Sequence, residues 1–162
     1  MARLKTTAER GKFKKEIHTA LYKNENLREL ILGDTRNLSA KELRTAFKDH
    51  VKSHLFIDDT IEETTTYIFY DVVFPYIHPN TKNCQVIMYA ICHRDILENY
   101  SKEGYYGDRS DILAQMIEDT LINDDAVSNS FGIGRLNLDS IEIYNANKFY
   151  GCILRFDVPA FR

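Results

Sequence analysis

The amino-acid sequence predicts an α+β fold, in which N-terminal helices precede a ββαββ antiparallel sheet with a helix packed on one face. Apolar residues recur at helical spacing in the first third of the chain, whereas β-branched and aromatic residues dominate two later pairs of segments. Between those pairs lies one more helical pattern. The 162 residues are 44% hydrophobic and 28% charged, as expected of a single domain with a real core. Residues 1–60 are predicted as a helical N-terminal region and residues 61–162 as an α+β core.

Three helical segments are predicted in the first third. The first runs from Gly11 to Asn24 with a narrow apolar stripe, so residues 1 to about 24 are expected to form a mobile basic arm that binds a partner. A short apolar segment from Leu27 to Leu32 follows. The spacing of Ser39 and Glu42 is that of a capping box, which predicts a helix from about Ala40 to His54.

The rest of the chain predicts two hairpins around a helix. Segments 64–74 and 84–93 form the first hairpin, and the prolines between them predict a long tip over residues 75–83. A helix is predicted over 110–123, with Asp108 or Ser110 as its N-cap. Strands over 134–144 and 148–158 close the chain around a tight turn at Asn145 to Asn147, and Pro159 is expected to end the last strand.

No residue pattern predicts catalysis, a cofactor or a metal site. His50 and His54 have metal-ligand spacing, but the glutamate of a zinc-protease helix is missing between them. Cys92 and His93 are neighbours on a strand and point to opposite faces, which favours a core thiol. The glycines at 132 and 134 form a lone GxG, and the scattered acids at 58–59, 108, 111 and 124–125 are interpreted as caps and solvated surface.

Composition also limits the location and the kind of partner. No apolar run is long enough to cross a bilayer, no secretory signal is visible, and Cys84, Cys92 and Cys152 are too few for a disulfide framework, so we expect a soluble, intracellular chain with free thiols. Net charge is +6 over residues 1–54 and −9 over residues 55–162. This polarity suggests surfaces that bind other surfaces. The predicted interface residues are Lys12, Lys14, Lys15, Tyr76, Ile77, His78, Tyr105, Tyr106 and Arg109.

Two segments near the C-terminus add a resemblance to a known family. The run GYYGDRSDILAQMIEDTL, followed by GRLNLDSIEIYNANKFYGCILRFDVPAFR, resembles the small neck proteins of long-tailed bacteriophages, particularly the tail-terminator and tail-completion group. Tyr106, Arg109 and Asp111 stand in its aromatic–Arg–x–Asp run, and the resemblance covers about residues 65 to 162.

The resemblance implies a structural virion protein, made in the host cytoplasm, that caps the tail tube as a homo-oligomeric ring of six-fold symmetry. Its partners would be other copies of itself, the tail tube protein and the head connector, with genome DNA passing through the ring without sequence recognition and with no membrane involved. A head-completion (stopper) role is the alternative within the neck. A metal-dependent nucleic-acid enzyme and a DNA-binding module are the alternatives from other classes.

Overall fold

A five-stranded mixed sheet organises the protein. The computed structural model describes residues 5–58, 60–123 and 136–161, with the backbone alone at 159–161. In chain order the elements are α1 (Thr6–Lys23), α2 (Glu25–Leu32), α3 (Ala40–His50), β1 (Val51–Lys52), β2 (Thr66–Val73), β3 (Lys82–His93), a 3-10 turn (Arg94–Ile96), α4 (Arg109–Asn123), β4 (Asn137–Ala146) and β5 (Phe149–Phe161). The predicted α+β class, with helices ahead of the sheet, is confirmed.

The strand order is β1-β2-β3-β5-β4, so β1 and β4 lie at opposite ends of the sheet. Both predicted hairpins are present, and all pairings among β2, β3, β5 and β4 are antiparallel. Strand β1 was not predicted, and it pairs in parallel with β2 through Val51 opposite Ile68. Because residues 51 and 52 join the sheet, the predicted helix over 40–54 is wrong at its end, and α3 stops at His50.

The helices cover one face of the sheet and form the main core with it. Apolar side chains from α1, α2 and α4 pack there against alternate residues of β2, β3 and β5. Phe47 is the buried residue of α3. On the other face a smaller cluster contains Tyr67, Phe69, Ile91 and Phe149, with Leu55, Ile57 and Ile61 against it.

The first helix is part of this core, which makes the predicted mobile arm wrong over the described residues. Phe13, Ile17, Ala20 and Leu21 are all buried in the main cluster. The carbonyl of Lys14 in addition accepts a 2.8 Å hydrogen bond from the hydroxyl of Tyr70. Burial of Phe13, Ile17 and Leu21 contributes about 1.5–3 kcal/mol each, and the hydrogen bond from Tyr70 adds to this attachment of α1 to the sheet.

The start of α4 and the turn between β4 and β5 have the residues that the sequence predicted there, but the end of β5 does not. Asp108 caps α4, since its carboxylate accepts the Asp111 N–H at 3.0 Å while its own N–H donates to the Asp111 carboxylate. Asn147 takes the positive φ of 56° that the β4–β5 turn requires. The prediction that Pro159 ends the last strand is wrong, because β5 continues to Phe161. Among the described residues, Asp157 is the last of β5 paired with β4, and Pro159 lies in the irregularity between the pairs Cys84–Val158 and Lys82–Phe161, where a residue without an N–H is tolerated.

Candidate interaction surfaces

The basic residues of α1 differ in how many bonds their side chains form within the subunit. The ammonium of Lys14 lies 2.9 Å from the carboxylate of Asp71 and also donates to the carbonyl of Ser53. Arg10 binds the same carboxylate and the carbonyl of Val72, both at 2.6 Å, and so satisfies an acceptor at the edge of β2.

Lys12 and Lys15 are more accessible than Lys14. Lys12 is exposed and lies 3.8 Å from Glu16, one helical turn away. Lys15 is exposed as well. Of the three lysines predicted to bind a partner, Lys14 therefore has a role within the subunit, while Lys12 and Lys15 remain available.

The tip of the first hairpin presents apolar groups to solvent, as the sequence predicted. Tyr76 and Ile77 are each 61% exposed, and the ring of His78 stacks on Tyr76 at 6.0 Å between centroids. The tip is nevertheless ordered by its backbone, because the His78 N–H donates to the carbonyl of Thr81 at 2.7 Å. Exposed apolar side chains on an ordered loop are typical of a surface that binds another protein.

Beneath this tip lies a buried ion pair. The ammonium of Lys82, at the start of β3, forms a hydrogen bond to the carboxylate of Glu9 on α1, and both side chains are largely removed from solvent. The same ammonium lies 5.6 Å from the centre of the Phe74 ring. This contact fixes the hairpin to the first helix.

The loop before α4 separates its two tyrosines. Tyr106 is 81% exposed, while Tyr105 packs against the main core. The loop is fixed by Gln115, whose side-chain oxygen accepts the Tyr106 N–H at 3.2 Å. Tyr106 is therefore presented on a rigid support, and Tyr105 serves the core of its own subunit.

Arg109 is a structural residue rather than a free surface group. Its guanidinium donates to the carbonyls of Ile96 and Leu30, at 3.1 and 3.0 Å, and to the side chain of Asn99. It also lies over the ring of Tyr100, 4.9 Å from the ring centre. Burial lowers its pKa. Arg109 thus joins the end of α2 to the segment after β3.

Two exposed surfaces were missed by sequence reasoning. Ile141 and Ile143 of β4 are 65% and 74% exposed. Their positions opposite Leu154 and Cys152 place them on the face that the helices cover elsewhere. The alternation of β4 puts both on one face, but nothing in the sequence shows that β4 is an edge strand. The second surface is the outer side of α3, where Lys41, Arg44 and Lys48 are exposed at helical spacing.

The histidines with metal-ligand spacing do not come together. The ring of His50 lies 2.9 Å from the carbonyl of Ala46 and stacks on Tyr67, whereas His54 is beyond the end of the helix and accepts the Phe56 N–H. Within the described ranges, no group of three His, Cys, Asp or Glu residues is placed to hold a metal ion.

The three cysteines lie in or against the core, and the prediction of a core thiol at Cys92 is confirmed. Cys92 is buried, which raises the pKa of its thiol to about 12. Burial raises the pKa of Cys84 to about 12 also. At Cys152 burial, followed by the charges of Asp111 and Asp108, raises the pKa to about 11. A raised pKa leaves little of the reactive thiolate form at neutral pH.

The acids of the described loops accept local hydrogen bonds. Asp58 accepts hydrogen bonds from the N–H and the hydroxyl of Thr60, and these bonds lower its pKa. Asp108 and Asp111 form the reciprocal cap of α4. The predictions for Asp59, for residues 124–125 and for the GxG at 132–134 lie outside the described residues.

Comparison with protein-family models identifies a family. The model of the YomW family matches residues 15–158, which is nearly the whole chain. This match indicates a phage-associated protein. No curated protein and no solved structure matches the chain. In the part of the chain that the structure describes, no helix has the length and apolar character needed to cross a membrane.

Proposed function

Because the chain belongs to the YomW family, we propose that it is a structural protein of a phage particle, and specifically a tail terminator. In this role it caps the tail tube as a six-fold homo-oligomeric ring and joins the tube to the head connector. Genome DNA passes through the ring without sequence recognition. The proposal draws its specific role from the resemblance of residues 65–162 to tail-terminator and tail-completion proteins.

The observation that carries the proposal is the set of apolar side chains held in solvent by rigid parts of the fold. Tyr76 and Ile77 lie on an ordered hairpin tip, Tyr106 on a loop fixed to α4, and Ile141 and Ile143 on a strand. Exposed apolar side chains that lie next to one another, as Tyr76 does to Ile77 and Ile141 to Ile143 on one face of β4, are typical of surfaces that bind other proteins. A subunit with several neighbours needs distinct contact surfaces, and these residues supply them.

An enzymatic role receives no support from the titratable groups. The cysteines have raised pKa values, His50 contacts a backbone carbonyl, and the acids at 108 and 111 are committed to a helix cap. We therefore propose that the protein has no catalytic activity. Nuclease, peptidase and esterase assays with Mg²⁺, Mn²⁺ and Zn²⁺ should give background rates.

The direct test is removal of the gene from a phage that carries it, with the protein supplied from a plasmid as the control. A tube without its cap has an open end that accepts further subunits, so we expect tails of variable length and heads that are not joined to them. Tails of normal length accompanied by heads that lose DNA would instead indicate a head-completion protein. Normal, infectious particles without the chain would refute a neck role altogether.

A more local test uses the hairpin tip. Replacing Tyr76 and Ile77 with Ser should leave the melting temperature close to that of the unchanged protein, because neither side chain is buried. Complementation by this variant should yield fewer joined particles. The matched control is Glu98→Ser, which changes an exposed side chain away from the tip and should complement fully.

A further inference from the structure

We propose that charged side chains of α1 and β2 prevent a strand of a second copy of the chain from pairing with the edge of β2. These side chains form an edge cluster of Arg10 and Lys14, one helical turn apart on α1, and Asp71 on β2, whose carboxylate binds both. A strand edge with free N–H and C=O groups is a template on which another chain can add a strand. The inference does not rest on the proposed function, because it concerns an edge that the fold keeps closed.

The edge cluster lies where strand pairing on this side of β2 ends. β1 has only two residues, which pair with Ile68 and Phe69. Among the described strands, none lies beside residues 70–73 of β2 on this side, whereas β3 pairs with β2 along its other side. Because one residue in two directs its N–H and C=O away from β3, this stretch has backbone groups that another strand could bind.

The edge cluster binds both the N–H and the C=O of Val72. The Nε of Arg10 donates to the Val72 carbonyl at 2.6 Å, and the Val72 N–H donates to the Asp71 carboxylate at 2.8 Å. The guanidinium of Arg10 also binds that carboxylate at 2.6 Å, so the two bonds support each other. A strand that adds here must break both bonds and the ion pair before its own backbone can replace them.

Lys14 acts in the same way on the residue that follows β1. Its ammonium donates to the carbonyl of Ser53 at 3.0 Å and lies 2.9 Å from the Asp71 carboxylate. The Lys14 carbonyl accepts a 2.8 Å hydrogen bond from the hydroxyl of Tyr70, which holds this turn of α1 beside the strand. Side chains of α1 therefore bind the backbone where the two-residue strand β1 ends.

Two observations favour protection of the edge over attachment of α1 as the role of Arg10. The helix is already attached through its buried apolar residues Phe13, Ile17, Ala20 and Leu21. The side chain of Arg10 is 43% exposed, so water screens its ion pair, and that pair adds less to stability than a buried one. Charged side chains at a sheet edge are one means by which proteins avoid edge-to-edge pairing.

Removal of the guanidinium tests the edge cluster. Arg10→Ala leaves the Val72 carbonyl without its donor, so we expect the variant to self-associate through β2. The concentration at which half of the purified protein is associated, measured by analytical ultracentrifugation, should fall by about tenfold or more relative to the unchanged protein. An Arg10→Ala variant that folds and associates no more than the unchanged protein would overturn the inference.

Glu9→Gln is the matched control for lost stability. It breaks the buried ion pair with Lys82 on the same helix but leaves the bonds to Val72 in place. We expect this variant to melt at a lower temperature and to associate no more than the unchanged protein. Association of Glu9→Gln equal to that of Arg10→Ala would attribute the effect to lost stability and overturn the role of the edge.

A second substitution tests whether the association uses the β2 edge. Val73→Lys adds a lysine to this edge, and two such lysines meet when two β2 edges pair, so Val73→Lys should reverse the association of Arg10→Ala. Ser101→Lys adds the same charge at an exposed position away from the sheet and should not reverse it. Equal reversal by both lysines would contradict pairing at β2.

Hydrogen exchange tests the bonds in the unchanged protein, independently of how the variants fold. The Val72 N–H has no strand partner on its side, yet its bond to Asp71 should slow exchange by about a hundredfold relative to a free peptide. Exchange at the rate of a free peptide would show that the edge is open and would overturn the inference.

Discussion

Gly151 offers a sharp test of the sheet geometry. It lies in β5 between Ile91 of β3 and Tyr144 of β4. A Cβ atom at this position would stand 1.9 Å from the carbonyl oxygen of Ala90 and 2.8 Å from the Cα of Ile91. Both are backbone atoms, so neither can rotate away. An ordinary carbon–oxygen contact is about 3.3 Å, so Gly151→Ala requires the strands to move apart by roughly 1.4 Å.

The cost of that movement can be estimated from its parts. Overpacking within a core costs about 1–3 kcal/mol, and each ladder hydrogen bond that is weakened costs about 1 kcal/mol more. We expect Gly151→Ala to lower the free energy of unfolding by about 3 kcal/mol. For a domain of this size the melting temperature should fall by about 6–12 °C.

Gly11 is the matched control, because the same substitution should have the opposite effect there. It lies inside α1, and an added Cβ would meet no atom within 4 Å. Alanine is favoured over glycine in a helix by about 1 kcal/mol, so Gly11→Ala should raise the melting temperature. Thermal and urea unfolding of both variants measure the effects. A Gly151→Ala variant as stable as the unchanged protein would refute the close approach of β3 and β5.

Three further predictions concern buried or half-buried groups. Burial acts to raise the pKa of Asp71, but hydrogen bonds and the charges of Lys14 and Arg10 outweigh burial and lower that pKa. Asp71→Asn should therefore lower the free energy of unfolding at pH 7 by about 1–3 kcal/mol, as measured by urea unfolding. The difference between the two proteins should shrink as the pH falls through the carboxyl pKa, because the carboxylate is then protonated. Glu9→Gln leaves the buried ammonium of Lys82 without its carboxylate and should cost about 3 kcal/mol; a loss below 0.5 kcal/mol, roughly that of a surface substitution, would contradict the buried pair. Cys92 should react with a thiol reagent at pH 7 at the rate of global unfolding, and rapid labelling of the folded protein would contradict its burial.

The elements with strong local patterns were predictable from the sequence. The capping box at Ser39 and Glu42 forms as its spacing indicated, with Ser39 accepting the Glu42 N–H at 3.1 Å. The two hairpins and α4 follow their alternating and helical patterns to within a few residues. The prolines at 75 and 79 indicated a hairpin tip at Tyr76 and Ile77, although Ile77 still forms one isolated antiparallel bridge with Lys82.

The errors arose where distant contacts outweigh local pattern. Val51 looked like the continuation of a helix, but pairing with Ile68, seventeen positions further along the chain, draws it into the sheet. The exposure of Ile141 was equally hidden, because an edge strand and a central strand can share the same alternation. Burial of α1 depends on surfaces supplied by β2 and α4, which the narrow stripe of Phe13, Ile17 and Leu21 could not reveal.

Because α1 is ordered, part of its positive charge is paired within the subunit and does not contribute to contacts between subunits. Arg10 and Lys14 contribute to the +6 balance of residues 1–54, yet both are directed to Asp71 within the subunit. The basic residues available to a neighbour are therefore exposed ones, such as Lys12 and Lys15 on α1 and Lys41, Arg44 and Lys48 on α3. A mobile arm would lose about 1–2 kcal/mol of backbone entropy for each residue ordered on binding. Surfaces already fixed by the core avoid that loss. The strength of contacts between subunits of the proposed ring should therefore depend on salt, through screening of exposed charges, rather than on the ordering of a segment.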